Sequence, residues 1–464
     1  MQVDPTIFKA YDIRGINDTQ LSSKLALHVG RGFGTFLKRK GTYDCLVCRD
    51  TRITSEDYQK NVMAGLLSVG VNVHDMGLAL ASHMYHARHY YHIDGGIMVT
   101  ASHNPPNYNG YKLTSGLNAI SSEEIQQVRK IIESEDYETG EGKLTDLSAA
   151  NVVYYEEIKK RIKLQKPLKI VVEAGHQTPA LFIPDFLKSL GCEVITLHAN
   201  IDPSFPAGVP DPVNNEFMIQ IQKAVVENKA DVGIAMDADG DRGGVVDDKG
   251  RIWLGDMVLD LLVRDFLPRR KGAKVIVEVK DSEIVVEDTK RLGGVPIFWK
   301  TGHALLDPKI HEEKALLCGE MSCHYWVTDN WYFFDDTPFA LMHVLRIISE
   351  SNKRFSEIMD EIPKYPSTPE IRFKCPEDKM TSTVEAGVAH FRKMCDRVVD
   401  IDGIRGYKDD GWFLLRRSNT QPLLSVRAEA KTDQGLEKLK AFIKEFFNKF
   451  DYLDFDWERQ YDVV

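Results

Sequence analysis

Three times along this chain an apolar, strand-like run ends abruptly in a loop of chemically capable side chains. Gly95-Gly96-Ile97-Met98-Val99 opens into Thr100-Ala101-Ser102-His103-Asn104-Pro105. Val232-Gly233-Ile234-Ala235-Met236 opens into Asp237-Ala238-Asp239-Gly240-Asp241-Arg242, and Ala315-Leu316-Leu317-Cys318-Gly319 into Glu320-Met321-Ser322-Cys323-His324. Further strand patterns fall at 168–172, 193–197 and 274–279, and helix patterns at 21–36, 125–132, 179–190 and 216–227. Strands alternating with helices fold as parallel or mixed sheets covered on both faces. Open α/β sheets carry their chemistry at the C-terminal ends of strands. The chain is therefore expected to hold three similar α/β units, each lending one loop to a shared site.

A length of 464 residues is too much for one core. The polar stretch 133–147 reads as a connector, and 243–250 lies near the next junction. Pro363, Pro366 and Pro369 fall within seven residues, which resists both helix and strand and marks a linker. The expected domains are 1–147, 148–250, 251–364 and 365–464. The last is smaller and α+β, with strand patterns at 412–415 and 423–428 and a closing amphipathic helix at 434–450.

With 59 basic and 69 acidic residues the formal charge is −10, so neither nucleic acid nor an anionic membrane is the expected partner. No apolar run approaches the ~18 residues of a membrane span. The N-terminal residues do not read as a signal peptide. Seven scattered cysteines fit reduced thiols in the cytoplasm. Cys45 and Cys48 have redox or zinc spacing, but they sit inside a strand pattern and read as core.

Asp237, Asp239 and Asp241 alternate, so in an extended loop their carboxylates point the same way. Three hard oxygen donors suit Mg²⁺. An EF-hand does not fit, because its sixth position would be Arg242 rather than Gly and its twelfth Asp248 rather than Glu. Arg242 is placed to meet a phosphate. Ser102 reads either as an exposed hydroxyl on a tight loop or as an ordinary helix cap. In the last domain Arg416, Ser418, Asn419 and Thr420 gather donors with no acid among them, a composition that encloses a phosphate dianion.

Together these segments resemble the phosphohexomutase family, most closely its phosphomannomutase/phosphoglucomutase branch. The resemblance runs from Phe8-Lys9-Ala10-Tyr11-Asp12-Ile13-Arg14-Gly15 through 100–105, 108–112 and 237–242 to Thr301-Gly302-His303, 320–322 and 416–422. It implies three α/β domains and a smaller α+β domain around a central cleft. It also implies reversible exchange of hexose 6-phosphate and hexose 1-phosphate of mannose or glucose through a 1,6-bisphosphate, which primes the enzyme in catalytic amounts.

On this resemblance Ser102 carries the phosphoryl group, and Mg²⁺ is held by Asp237, Asp239, Asp241 and the serine. Arg14, Lys112 and His303 lie near the transferring group, with Lys112 or His303 as the base. Tyr11, Arg242, Lys280, Glu320, Ser322, His324, Arg416, Ser418, Asn419 and Thr420 hold the hexose phosphate.

Phosphoglucosamine mutase, a phosphoserine-dependent phosphatase and a non-catalytic sugar-phosphate binder are the competing readings. Monomer and homodimer both fit. Three departures stand out: Cys323 where the family has Gly, Thr337 where Gly is usual, and 173–177, which lacks the usual Gly-Asn-Gly.

Overall fold

A computed structural model describes residues 1–116, 118–418 and 423–458. The first sheet comprises β1 (Asp12–Ile16), β2 (Asp44–Arg49), β3 (Asn72–Leu78), β4 (Gly95–Val99), β5 (Tyr108–Ser115), β6 (Asn118–Ala119) and β7 (Leu144–Asp146). Its order is β1-β5-β4-β2-β3-β7, with β6 on β5. The second comprises β8 (Lys169–Glu173), β9 (Glu193–Leu197), β10 (Val232–Met236), β11 (Gly243–Asp247) and β12 (Ile252–Trp253), in the order β12-β11-β10-β8-β9. The third comprises β13 (Lys274–Glu278), β14 (Val295–Trp299), β15 (Leu317–Gly319) and β16 (Tyr325–Val327), in the order β14-β13-β15-β16.

Without its edge additions, each sheet is the same four strands: β5-β4-β2-β3, β11-β10-β8-β9 and β16-β15-β13-β14. Three strands run parallel and the terminal one antiparallel. The turn joining the central strand to its antiparallel neighbour is, in every case, one of the three polar loops. The expected repeat is thus present as topology.

The fourth sheet is wholly antiparallel. It joins β17 (Ile371–Lys374), β18 (Arg397–Val399), β19 (Ile404–Lys408), β20 (Gly411–Arg417) and β21 (Leu423–Ala430) in the order β17-β21-β20-β19-β18. Helices Glu377–Phe391 and Asp433–Phe447 pack on it, giving the expected α+β unit.

Some local expectations shift. The 133–147 connector ends in β7, which pairs parallel with β3, and 243–247 is a buried core strand. The 179–190 pattern splits into a 3₁₀ turn at Thr178–Leu181 and a helix at Ile183–Ser189. Pro179 and Pro184 each open a segment, because proline lacks the N–H that only a first turn can spare. Cys45 and Cys48 are buried free thiols in β2, as their pattern implied.

One apolar cluster runs through the first three domains, from Leu46 and Met98 through Val172 and Ile234 to Val277 and Leu317. The fourth domain has its own core around Phe373, Phe391, Phe413 and Phe446. Among the described residues no helix is long and apolar enough to cross a membrane.

Candidate active site

Ser102 stands at the end of β4 in left-handed backbone, φ 46°, an uncommon conformation for a residue with a side chain. Its hydroxyl donates to Asp237 Oδ2 at 2.6 Å and lies 3.1 Å from His103 Nδ1. Lys112, on the neighbouring β5, donates to Asp239 Oδ2 at 2.7 Å and to Asp241 Oδ2. Lys112, Ser102 and all three acids are buried. One oxygen from each acid lies within 4.8 Å of the others. Asp239 Oδ1 and Asp241 Oδ1 are buried and face no donor among the described residues.

Burial pushes the Asp237 carboxyl well above the usual carboxylate range, and Asp241 and Asp239 add to the effect. Burial acts on Asp241 too, but the Lys112 ammonium outweighs it and holds that carboxyl well below its ordinary value. Three buried acids beside a single lysine leave negative charge in excess, which is the electrostatic signature of a cation site.

The third domain closes over this centre. His303 packs edge-on against Tyr11 with centroids 5.1 Å apart and stacks on His324 at 5.6 Å. Burial lowers the pKa of both histidines, so both are neutral imidazoles near pH 7. His324 Nδ1 binds Asp335, while its Nε2 accepts from Arg242 Nε at 3.1 Å. Arg242 also faces Asp211 at 3.5 Å. Glu320 Oε1 accepts from Gly302 N at 2.9 Å, and Ser322 is half-buried at the turn of its loop. That loop rests directly on Gly255, where a Cβ would come within 1.9 Å of the Glu320 carbonyl.

The fourth domain supplies Arg416, whose Nε donates to Asp402 Oδ2 at 2.9 Å; the same oxygen accepts from Thr301 N at 3.3 Å. Lys280 lies between Glu278 at 3.4 Å and Glu370 at 3.7 Å. Ser418 N donates to Leu423 O at 2.8 Å. Asn419 and Thr420 lie outside the described residues. Arg14 ties to the serine loop, donating to Asn104 Oδ1 at 2.7 Å and pairing with Asp12 at 2.6 Å.

The fold therefore brings together Ser102, Lys112, Asp237, Asp239 and Asp241, and links Tyr11, Arg242, His303, Glu320 and His324 around them. Sequence reasoning missed Asp50, Arg52, Asp211, Asp335 and Asp402. Asp50 and Arg52 come just after an apolar strand, the very pattern that exposed the other loops. The remaining three carry no local signal.

The departures are accommodated. Cys323 has φ 72°, the left-handed region that favours glycine. Thr337 Oγ1 donates to the Asp241 carbonyl at 2.6 Å, tying the third domain to the acid loop. The 173–177 loop turns to the first domain instead, with Gln177 Oε1 accepting from Thr51 at 2.8 Å.

Three repeated α/β domains and a separate α+β domain, meeting at a buried serine, an acid triad and several cations, define a four-domain enzyme built for phosphoryl groups. Comparison with known proteins agrees across the whole chain. Phosphoglucomutase/phosphomannomutase alpha/beta/alpha domains I, II and III match residues 5–139, 149–250 and 254–365, and the family's C-terminal domain matches 370–446.

A phosphomannomutase/phosphoglucomutase of Pseudomonas aeruginosa is 34% identical over 439 residues, 95% of each chain. A phosphoglucomutase of Neisseria gonorrhoeae is 35% identical over 441 residues, covering 94% of this chain and 95% of its own. The crystal structure of a phosphoglucomutase/phosphomannomutase family protein from Burkholderia thailandensis superposes with a TM-score of 0.92 at 35% identity, over 98% of this chain and all of the other. The chain belongs to the phosphoglucomutase/phosphomannomutase family.

Proposed function

We infer that this chain is a hexose-phosphate mutase, exchanging hexose 6-phosphate and hexose 1-phosphate with Ser102 as the phosphoryl carrier. The observation that carries this reading is the Ser102 hydroxyl held 2.6 Å from Asp237, inside a buried triad that Lys112 only partly neutralises.

A free sugar hydroxyl attacks the phosphoryl group on Ser102. The P–Oγ bond breaks, a P–O bond to the sugar forms, and the hydroxyl proton passes to a base. The bisphosphate turns over in the site, Ser102 Oγ recovers the other phosphoryl group, and the proton returns to the departing sugar oxygen. The protein's part is positioning and charge. His303, a neutral imidazole between Tyr11 and His324, is the base in this reading. Lys112, already bound to two carboxylates, neutralises charge instead. Arg14 braces the serine loop through Asn104.

In this reading Arg416, Ser418, Asn419 and Thr420 hold the non-reacting phosphate together with Lys280, and Glu320, Ser322 and His324 read sugar hydroxyls. The two unpartnered oxygens, Asp239 Oδ1 and Asp241 Oδ1, fit a hard cation. Asp237, Asp239, Asp241 and the Ser102 phosphate would hold Mg²⁺, which supplies charge neutralisation at the transferring oxygens. Hexose 1,6-bisphosphate in catalytic amount loads the serine. Seven free thiols and a hexose-phosphate substrate suit an enzyme of the cytoplasm.

Ser102→Ala decides the reading. Multiple turnover with mannose 1-phosphate and glucose 1-phosphate is expected to vanish while binding of either sugar phosphate persists. Full turnover by that variant rejects the serine's role, and release of inorganic phosphate in place of isomer by the unsubstituted enzyme rejects a mutase.

A further inference from the structure

Arg52 lies just beyond β2, 50 residues before Ser102 in sequence, and its side chain is wholly shielded from solvent. We propose that Arg52 is the positioning residue that locks the Ser102 loop into its left-handed turn and so aims the hydroxyl at the acid triad. This rests on Ser102 being the phosphoryl carrier, as inferred above.

One guanidinium gathers four carbonyls of a single loop. Nη2 donates to Ser102 O and Asn104 O, both at 2.6 Å. Nη1 donates to Pro105 O at 2.7 Å and Tyr108 O at 3.0 Å. Such a fan of bonds needs the planar, rigid fork of arginine; a lysine ammonium is a single flexible point.

The amide side of Ser102 is tied back to the same place. Ser102 N donates to Thr100 Oγ1 at 3.0 Å, and Thr100 Oγ1 donates to Asp50 Oδ2 at 2.7 Å. Asp50 is the buried counter-ion of Arg52, 3.3 Å from its Nε, and its other oxygen accepts from Arg52 N at 2.9 Å. Both peptide groups flanking Ser102 thus lead to one buried ion pair. The second domain seals it, with the Phe205 ring 4.9 Å from the guanidinium carbon.

A left-handed residue with a side chain persists only where its surroundings over-determine it. Here the N–H and the carbonyl of Ser102 are both fixed, which sets the Cα–Cβ bond towards the triad, and Oγ reaches Asp237 from there. Arg52 itself is fully shielded from solvent and spends both Nη atoms on loop carbonyls, so in this proposal it contacts neither sugar nor phosphate. Its loss should therefore slow transfer without weakening substrate binding, a pattern that a general loss of fold does not produce.

The test uses Arg52→Lys and Ser102→Ala in the full chain. Each is treated with hexose 1,6-bisphosphate, and the load on Ser102 is checked by intact mass. Single-turnover transfer from phosphorylated Arg52→Lys to glucose 1-phosphate is expected to be about 100-fold slower, with KM within about twofold. Should Arg52→Lys fail to fold, Asp50→Asn keeps the shape but removes the counter-ion that orients the guanidinium, and is expected to slow transfer about tenfold at unchanged KM.

Transfer at the unsubstituted rate by a folded, loaded Arg52→Lys, or by Asp50→Asn where that stands in, overturns the proposal. Full-rate Arg52→Lys beside an inactive Ser102→Ala removes only the positioning claim. An active Ser102→Ala removes the serine reading and this inference with it.

Discussion

Two joints hold the four domains, and they are made of opposite materials. The joint of the first three is dry and aromatic. Helix Ala81–Tyr91 sets His86 against Trp331 at 5.3 Å and His89 against Tyr332 at 5.2 Å, and Trp331 stacks on Phe339 at 4.2 Å. The joint between the third and fourth domains is polar. Arg405, with no solvent exposure, donates to Val279 O at 2.9 Å, Asp281 O at 2.7 Å and Glu283 at 2.8 Å, and its guanidinium carbon lies 3.5 Å from the Trp412 ring centroid. Arg427 reaches Asp256 at 3.2 Å, and the apolar patch beside it is small: Val279, Trp412 and Leu414, with Ile401 and Tyr407 packed against them.

Continuous apolar burial fuses three domains into one cooperative block. Buried charges add little net stability when complete but cost several kcal/mol when one partner is removed. The block is thus fixed by shape, and the fourth domain by a small set of bonds that must all be made.

Acid should separate the two joints most. Burial depresses His83 to about 3 and His86 and His89 to about 4. These rings stay neutral in the folded block, whereas in the unfolded chain they take up protons below ~6.5. The unfolded state then binds more protons, so stability is complete above pH ~6.5 and falls towards pH 4, by up to about 4 kcal/mol per pH unit where all three differ. Denaturant titrations at pH 7, 6 and 5 measure that slope. His86→Phe keeps the stack, removes one depressed imidazole and should lower the slope by about 1.4 kcal/mol per pH unit; an unaltered slope would discard the histidine account.

Next in size, Arg405→Met should cost about 3–5 kcal/mol of docking, because Glu283 loses its buried cation and the Val279 and Asp281 carbonyls lose their donor. Calorimetry should then show two transitions in place of one, with trypsin cutting in 363–369. A single, unsplit transition would mean that the polar joint is not what holds the fourth domain.

Trp331→Ala should cost about 3 kcal/mol by leaving a cavity, lowering the block's transition without dividing it. Division there would show the dry joint to be no stronger a weld than the polar one.

The smallest effect belongs to Cys323→Gly. Release of left-handed strain and loss of a buried sulfur, each of order 1 kcal/mol, nearly cancel. Burial pushes that thiol up to about 12, so it is not reactive at neutral pH. Melting temperature and mutase rate should hardly move, and alkylation with iodoacetamide should leave Cys323 intact.

Much of this was legible in the sequence for a local reason. Strand, loop and chemically capable side chain lie within a dozen residues of each other in 95–105, 232–242 and 315–324, so periodicity and composition expose them together. The same rule, applied at the C-terminal end of the Asp44–Arg49 strand, leads to Asp50 and Arg52. Asp335, Asp402 and Arg405 escaped because each meets its partner across an intervening strand or another domain: Asp335 meets His324 beyond β16, Asp402 meets Arg416 beyond β19, and Arg405 meets a turn more than 120 residues earlier. Helix ends were off by a few residues wherever a cap or proline chose the boundary, as Ser22 does for Ser23–Arg39.

The shared strand order has an evolutionary corollary. Because the three loops hang from equivalent crossings of separate sheets, an edit to one reaches the others through the few bonds made where they meet. Gly243 N donates to Cys323 O at 2.9 Å, and Thr337 Oγ1 to Asp241 O. A change at His324 reaches Arg242 and His303 at once, whereas a change of the Cys323 side chain leaves that carbonyl bond in place, so drift within 320–324 is freer at Cys323 than at His324.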